Sequence, residues 1–153
     1  MADNSPRTPI VVTHEGGVQF AAQVRSHRVL VDQPVAAGGA DAAPAPIELL
    51  GASLGTFVAL YVQQFCHSRE LPYDGMRVEV EQRGAKNPNR IGQFTVRVIL
   101  PGGLPPEHFE MLDRVARSCP AHNTLAHGAE VHLQFDLGAV SAPTAELVAH
   151  PAP

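Results

Sequence analysis

Pro46-Ile47-Glu48-Leu49-Leu50-Gly51-Ala52-Ser53-Leu54-Gly55-Thr56-Phe57-Val58-Ala59-Leu60-Tyr61-Val62-Gln63-Gln64-Phe65 carries the longest helical pattern in the chain. No proline interrupts Ile47 to Arg69, and apolar side chains recur at Ile47, Leu50, Leu54, Phe57, Val58, Tyr61 and Phe65. Steps of three and four make one helical stripe. Pro46 suits the first turn of a helix, and Glu48 sets a negative charge near the positive end of the helix dipole. The opposite flank holds Gly51, Ala52, Gly55 and Ala59, small enough to let another backbone come close. Glu48 is the sole charge before Val62, so the pattern predicts a helix buried nearly all round. Its apolar core, Leu49 to Val62, falls short of the roughly 20 residues of a membrane span and runs into Gln63-Gln64.

On either side of this helix the period changes to two. Upstream, Ile10–His14, Val18–Arg25 and Arg28–Asp32 read as three short strands, the first pair turning at Gly16-Gly17. Pro34 to Pro46 is Ala, Gly and Pro apart from Val35 and Asp41, a connecting loop. Downstream, Pro72-Tyr73-Asp74-Gly75 marks a turn, after which Met76, Val78 and Val80 alternate with charged residues. Phe94, Val96 and Val98 alternate with Thr95 and Arg97 in the returning strand beyond Lys86-Asn87-Pro88-Asn89. A second helix starts at Pro105-Pro106, with Phe109, Leu112, Val115 and Ala116 on one face, and ends at Cys119-Pro120. A last strand is expected from Glu130 to Leu137, with Val131, Leu133, Phe135 and Leu137 inward. The whole reads as one α+β domain over residues 10–137. It is preceded by a disordered or extended stretch, 1–9, and followed by a Pro- and Ala-rich tail, 138–153.

Composition narrows the function. The formal charge is -4 and no run of Lys or Arg occurs, against a nucleic-acid footprint. The first residues lack the charged-then-apolar order of a signal peptide, and two cysteines in such a chain suggest free thiols in the cytoplasm. No phosphate-cradling glycine loop, serine nucleophile elbow or paired-carboxylate signature is present. No cofactor is expected. Cys119, His122, His127 and His132 lie close in sequence, but their spacing matches no familiar zinc pattern, and no metal is expected either.

Cys119 is the thiol best placed for chemistry. In Ser118-Cys119-Pro120-Ala121-His122, Pro120 ends one helix and suits the first position of the next, which makes Cys119 its cap. Backbone N–H groups there favour the thiolate, and His122 lies one turn on. A buried, inert cysteine at a helix junction explains the same pattern. Cys66, late in the long helix, has no evident activating neighbour and reads as a packing residue.

Three segments together resemble the family of osmotically inducible protein C and the organic hydroperoxide resistance proteins (OsmC/Ohr). They are Asp32-Gln33-Pro34 through Gly38-Gly39-Ala40-Asp41, Pro46 through Thr56, and Cys119-Pro120-Ala121-His122-Asn123-Thr124-Leu125. The resemblance implies a swapped homodimer with two sites at the subunit interface. In that family a cysteine on the long helix attacks an organic hydroperoxide, and a second, matching Cys119, closes a disulfide that a dithiol reduces. By the same resemblance Glu48 and either Arg25 or Arg28 supply supporting charges. Here Phe57 stands in Leu54-Gly55-Thr56-Phe57, where the family pattern Leu-Gly-x-Cys has its attacking thiol. Cys66 is nine residues on, about 900° around the helix and about 13.5 Å along it, and so on the opposite face. Three readings follow: one-cysteine redox or peroxide chemistry at Cys119, binding of a small apolar ligand at the interface without turnover, or a structural or partner-binding dimer.

Overall fold

The computed structural model describes residues 8–137, so the expectations for most of the N-terminal stretch and for the tail lie outside the described residues. Strands β1 (Val11–Gly16), β2 (Gln19–Val24) and β3 (His27–Val31) form an antiparallel sheet in the order β1-β2-β3. Helix α1 (Pro46–His67) follows, then the hairpin of β4 (Arg77–Ala85) and β5 (Arg90–Ile99). Two short helices close the described chain, α2 (Phe109–Arg117) and α3 (Pro120–His127).

The expected close approach to α1 is made by β4. A Cβ on Gly51 would collide with the Gln82 amide, and one on Gly55 would come within 2.9 Å of Val80 Cγ2. Glycine at these two positions therefore sets how near the hairpin can lie. Leu54, Val58, Val62, Phe65 and Cys66 are buried against the hairpin and against α2 and α3, and with Cys119 they form the core.

Part of the predicted stripe is not covered. Ile47, Leu50 and Phe57 remain exposed, as does Leu60 beside them, which corrects the expectation of a helix buried nearly all round. The physical reason is that one hairpin and two short helices shield about half of a 22-residue cylinder. By length and composition alone α1 could cross a membrane, yet its apolar inner face is already used by this core. The three-stranded sheet makes at most isolated contacts with the rest of the chain, and Val12, Phe20 and Leu30 stay exposed on it.

A second correction concerns the last strand. No strand forms between Glu130 and Leu137, and Val131, Leu133, Phe135 and Leu137 are 76–80% exposed rather than inward. The alternation is intact but has no neighbouring strand to pair with, and an unpaired strand is not stable by itself. On α2, Leu112, Val115 and Ala116 pack as expected, whereas Phe109 is exposed.

The loop before α1 is ordered by one buried carboxylate. Asp32, 1% exposed, accepts N–H bonds from Gln33 (2.8 Å), Ala40 (3.1 Å) and Ala42 (3.0 Å) and one from Gln19 Nε2 (3.2 Å). The Ala42 N–H leads the set of donors that hold this carboxyl below its ordinary value of 3.8, against the opposing pull of burial. A lowered folded-state pKa gives stability that is full above the unfolded value and fades as pH falls through the folded one. Asp32→Asn should therefore lower the thermal midpoint at neutral pH and flatten the loss of stability below pH 3.8, read by thermal melts across an acid series. An unchanged acid limb in the variant would contradict this role.

Candidate functional site

α3 begins as the sequence predicts. Pro120 is its first residue and Cys119 its cap, with extended backbone (φ -68°, ψ 143°). The His122 N–H donates to Cys119 Sγ at 3.2 Å, so the sulfur stands over the unpaired N–H groups of the helix start. Cys119 is also completely buried, packed in the core cluster that holds Leu54 and Val58. Both readings of this residue are thus partly realised: the capping geometry of a reactive thiol exists, inside a closed core.

Cys66 is fully buried too, and burial pushes its thiol above the ordinary value. Both cysteines are free thiols. Phe57 is 36% exposed and lies outside their cluster, so Phe57 and Cys66 do face opposite ways from α1. Because its sulfur accepts an N–H bond, Cys119 should label faster than Cys66 in limited native alkylation. Both should be slow relative to unfolded protein. Equal or preferential labelling of Cys66 would overturn that order.

The supporting charges of the family pattern are not gathered around Cys119 within one chain. Glu48 is exposed, and its Oε2 accepts the Ala45 N–H at 2.8 Å, closing the start of α1. Arg25 sits in the β2–β3 turn with a left-handed φ of 56°, and Arg28 pairs with Glu15 at 2.8 Å on the outer sheet. Among the described residues no three His, Cys, Asp or Glu side chains gather as a metal centre would require.

Sequence reading missed the feature that lies beside Cys119. A cavity of about 690 Å³ opens between α1, β5 and α2. Leu54, Val58 and Val62 of α1, Phe94 and Val96 of β5 and Leu112 of α2 give its apolar lining. Asp113, Arg117 and His122 line it from α2 and α3 and Gln93 and Thr95 from β5; the Asp113 and Arg117 side chains are 62% and 66% exposed. Arg117 Nε donates to Asp113 Oδ2 at 2.8 Å; this bond, aided by the charges of Arg117 and His122, holds the Asp113 carboxyl below its ordinary range. The sequence signal was slight: an Asp and an Arg four residues apart, one turn before the cysteine.

Comparison with known proteins matches residues 38–134 to the family described as OsmC-like protein. No curated protein matches the chain. Among solved structures, an osmotic stress and detoxification response protein of Psychrobacter arcticus is 21% identical with a TM-score of 0.72, over 78% of this chain and 89% of that one. An OsmC-like protein of Vibrio cholerae is 13% identical with a TM-score of 0.67, over 78% and 94%. An organic hydroperoxide resistance protein of Legionella pneumophila is 17% identical with a TM-score of 0.53, over 79% and 91%. At these identities the likeness is one of fold.

Proposed function

The chain belongs to the OsmC-like family, and from that membership we propose that it is a cytoplasmic homodimer related to thiol-dependent organic hydroperoxide reductases, with the two-cysteine cycle disabled. One observation carries the reading. The attacking position on α1 holds Phe57, while the chain's two thiols, Cys66 and Cys119, are both fully buried.

In a two-cysteine cycle, a thiolate displaces alcohol from the hydroperoxide and becomes a sulfenic acid. The second thiol then expels water to form the disulfide, and a dithiol reductant takes over that disulfide by exchange. Without a thiol at 57 the first step has no nucleophile on α1. What remains is one-cysteine chemistry at Cys119, in which the sulfenic acid forms and is reduced directly by dithiol. Glu48 and Arg25 or Arg28 serve such a site only where a second subunit brings them to it.

The homodimer is supported by the apolar surface the single chain leaves open. Leu50, Phe57 and Leu60 on α1, Phe20 and Leu30 on the outer sheet, and the alternating Val131–Leu137 segment are all exposed. Isolated apolar residues on a surface need no explanation; rows of them on a helix, a sheet and an unpaired segment of one chain favour association with a second copy. Light scattering that returned the 16.3 kDa of one chain would remove the dimer from the account.

The exposed row around Phe57 favours a second reading, a non-catalytic dimer that holds a small apolar ligand at the interface. Hydroperoxide consumption by the wild type with a dithiol separates the two. Slow consumption abolished by Cys119→Ser supports residual redox chemistry, and none at all supports the binding module.

A further inference from the structure

The cavity between α1, β5 and α2 belongs to neither reading. It lies within one subunit, on the buried face of α1, whereas Leu50, Phe57 and Leu60 look outward. Its volume of about 690 Å³ falls in the range of small-molecule sites, roughly 300–1,000 Å³. A site of that kind is apolar over most of its wall, with a few polar groups that fix orientation. Here most of the lining is aliphatic and aromatic, the charged groups come from its α2–α3 end, and Gln93 and Thr95 add polar side chains on β5.

The balance of donors and acceptors at that end selects the ligand. Asp113, the carboxylate present, already accepts from Arg117 Nε. The two terminal nitrogens of Arg117 take no protein partner among the described residues, and neither does the His122 imidazole. A guanidinium has five N–H donors and no acceptor; the Arg117 side chain is 66% exposed, so its remaining donors face water at the mouth of the chamber, where a ligand can replace that water. A head group rich in acceptors and carrying negative charge completes this set, and charge-assisted hydrogen bonds to Arg are the strong ones. An ammonium would find only the spare lone pairs of Asp113, and a neutral hydrocarbon would leave the donors unmatched.

We propose that this cavity binds a small amphipathic anion, with its hydrocarbon part against Leu54, Val58, Phe94 and Leu112 and its carboxylate or similar oxyanion at Arg117 and His122. Binding there requires neither a thiol at position 57 nor turnover. Cys119 accepts the His122 backbone N–H, which ties the polar end of the cavity to that thiol by one hydrogen bond.

The experiment is a calorimetric titration of the full chain with decanoate below its micellar range, beside decanol and decylamine. Decanoate should bind saturably and more tightly than decanol, and decylamine least. Arg117→Gln should weaken decanoate about tenfold or more, the scale of a lost charged hydrogen bond, and leave decanol unchanged. Leu112→Trp should abolish binding of both by filling the chamber. As that variant is open to misfolding, methyl shifts of Leu54, Val58 and Leu112 in wild type on adding decanoate give an independent reading. Absent saturable binding, an Arg117→Gln variant that binds decanoate as wild type does, equal affinity for decylamine, or shifts confined to Leu50 and Leu60 would each overturn the proposal. The same holds if a second copy's Val131–Leu137 segment is found to occupy the chamber, seen as methyl contacts between subunits.

Discussion

Phe57→Cys should turn the chain into a dithiol-dependent consumer of organic hydroperoxides and leave a 57–119 disulfide in the oxidised protein. The substitution restores a thiol to the attacking position of the family pattern. Leu54, one turn earlier, and Val58, the next residue, both pack in the cluster that holds Cys119, so the backbone at 57 borders that cluster while its side chain looks outward. Closure needs Cα atoms within about 7 Å, a shift that falls to the short helix α3 rather than to α1. Catalysis should rise by orders of magnitude, since deleting the nucleophile of a protease costs about 10⁶ in rate. The cost in stability should be below the ~3–5 kcal/mol of a buried aromatic truncation, because the ring is 36% exposed. Steady-state peroxide consumption with a dithiol and peptide mapping of the oxidised variant check both parts. A folded, dimeric variant showing neither would mean that Phe57 is not the sole departure from a reductase, and the ligand-binding reading would stand.

Phe65→Ala should be the most damaging single truncation in the core. Phe65 is 3% exposed at the inner face of α1. The Arg69 guanidinium lies over its ring at 4.1 Å from the centroid, and His108 meets it edge-on at 6.1 Å. Large-to-small aromatic changes cost about 3–5 kcal/mol, and the lost cation–π contact adds about 0.5–1 kcal/mol. Against a typical stability of about 5–15 kcal/mol this removes a large share of the margin, so the variant should be partly unfolded at ordinary temperature. Arg69→Gln should lose no more than the cation–π part. Urea unfolding measures both; a loss below about 1 kcal/mol for Phe65→Ala would contradict the packing described.

The sequence made the helix, the hairpin and the cap legible because each is written in local residues. Pro46 and Glu48 open α1, the period of two from Met76 to Val80 marks β4, and Cys119-Pro120 carries its own junction. What it could not convey was which side of α1 the single chain covers. Phe57 and Val58 are neighbours on one apolar stripe, yet one is exposed and the other buried. That division depends on where β4 and α2 come to rest, which no local pattern records. The segment Glu130–Leu137 fails for the same reason, since alternation signals the capacity to pair and not the presence of a neighbour. Arg117 and the cavity were missed because the lining comes from three elements far apart in sequence, and the Asp113–Arg117 pair reads locally as an ordinary helix-surface ion pair.

The central claim is that the wild-type chain lacks a two-cysteine peroxide cycle, and peptide mass mapping after stoichiometric organic hydroperoxide tests it most directly. Cys66 and Cys119 are both fully buried, and burial raises the Cys66 thiol, so neither sulfur is open to the hydroperoxide in the single chain. The expected map shows both cysteines as thiols, or Cys119 alone oxidised, with no crosslinked peptide. A Cys66–Cys119 disulfide formed within the folded chain would contradict it.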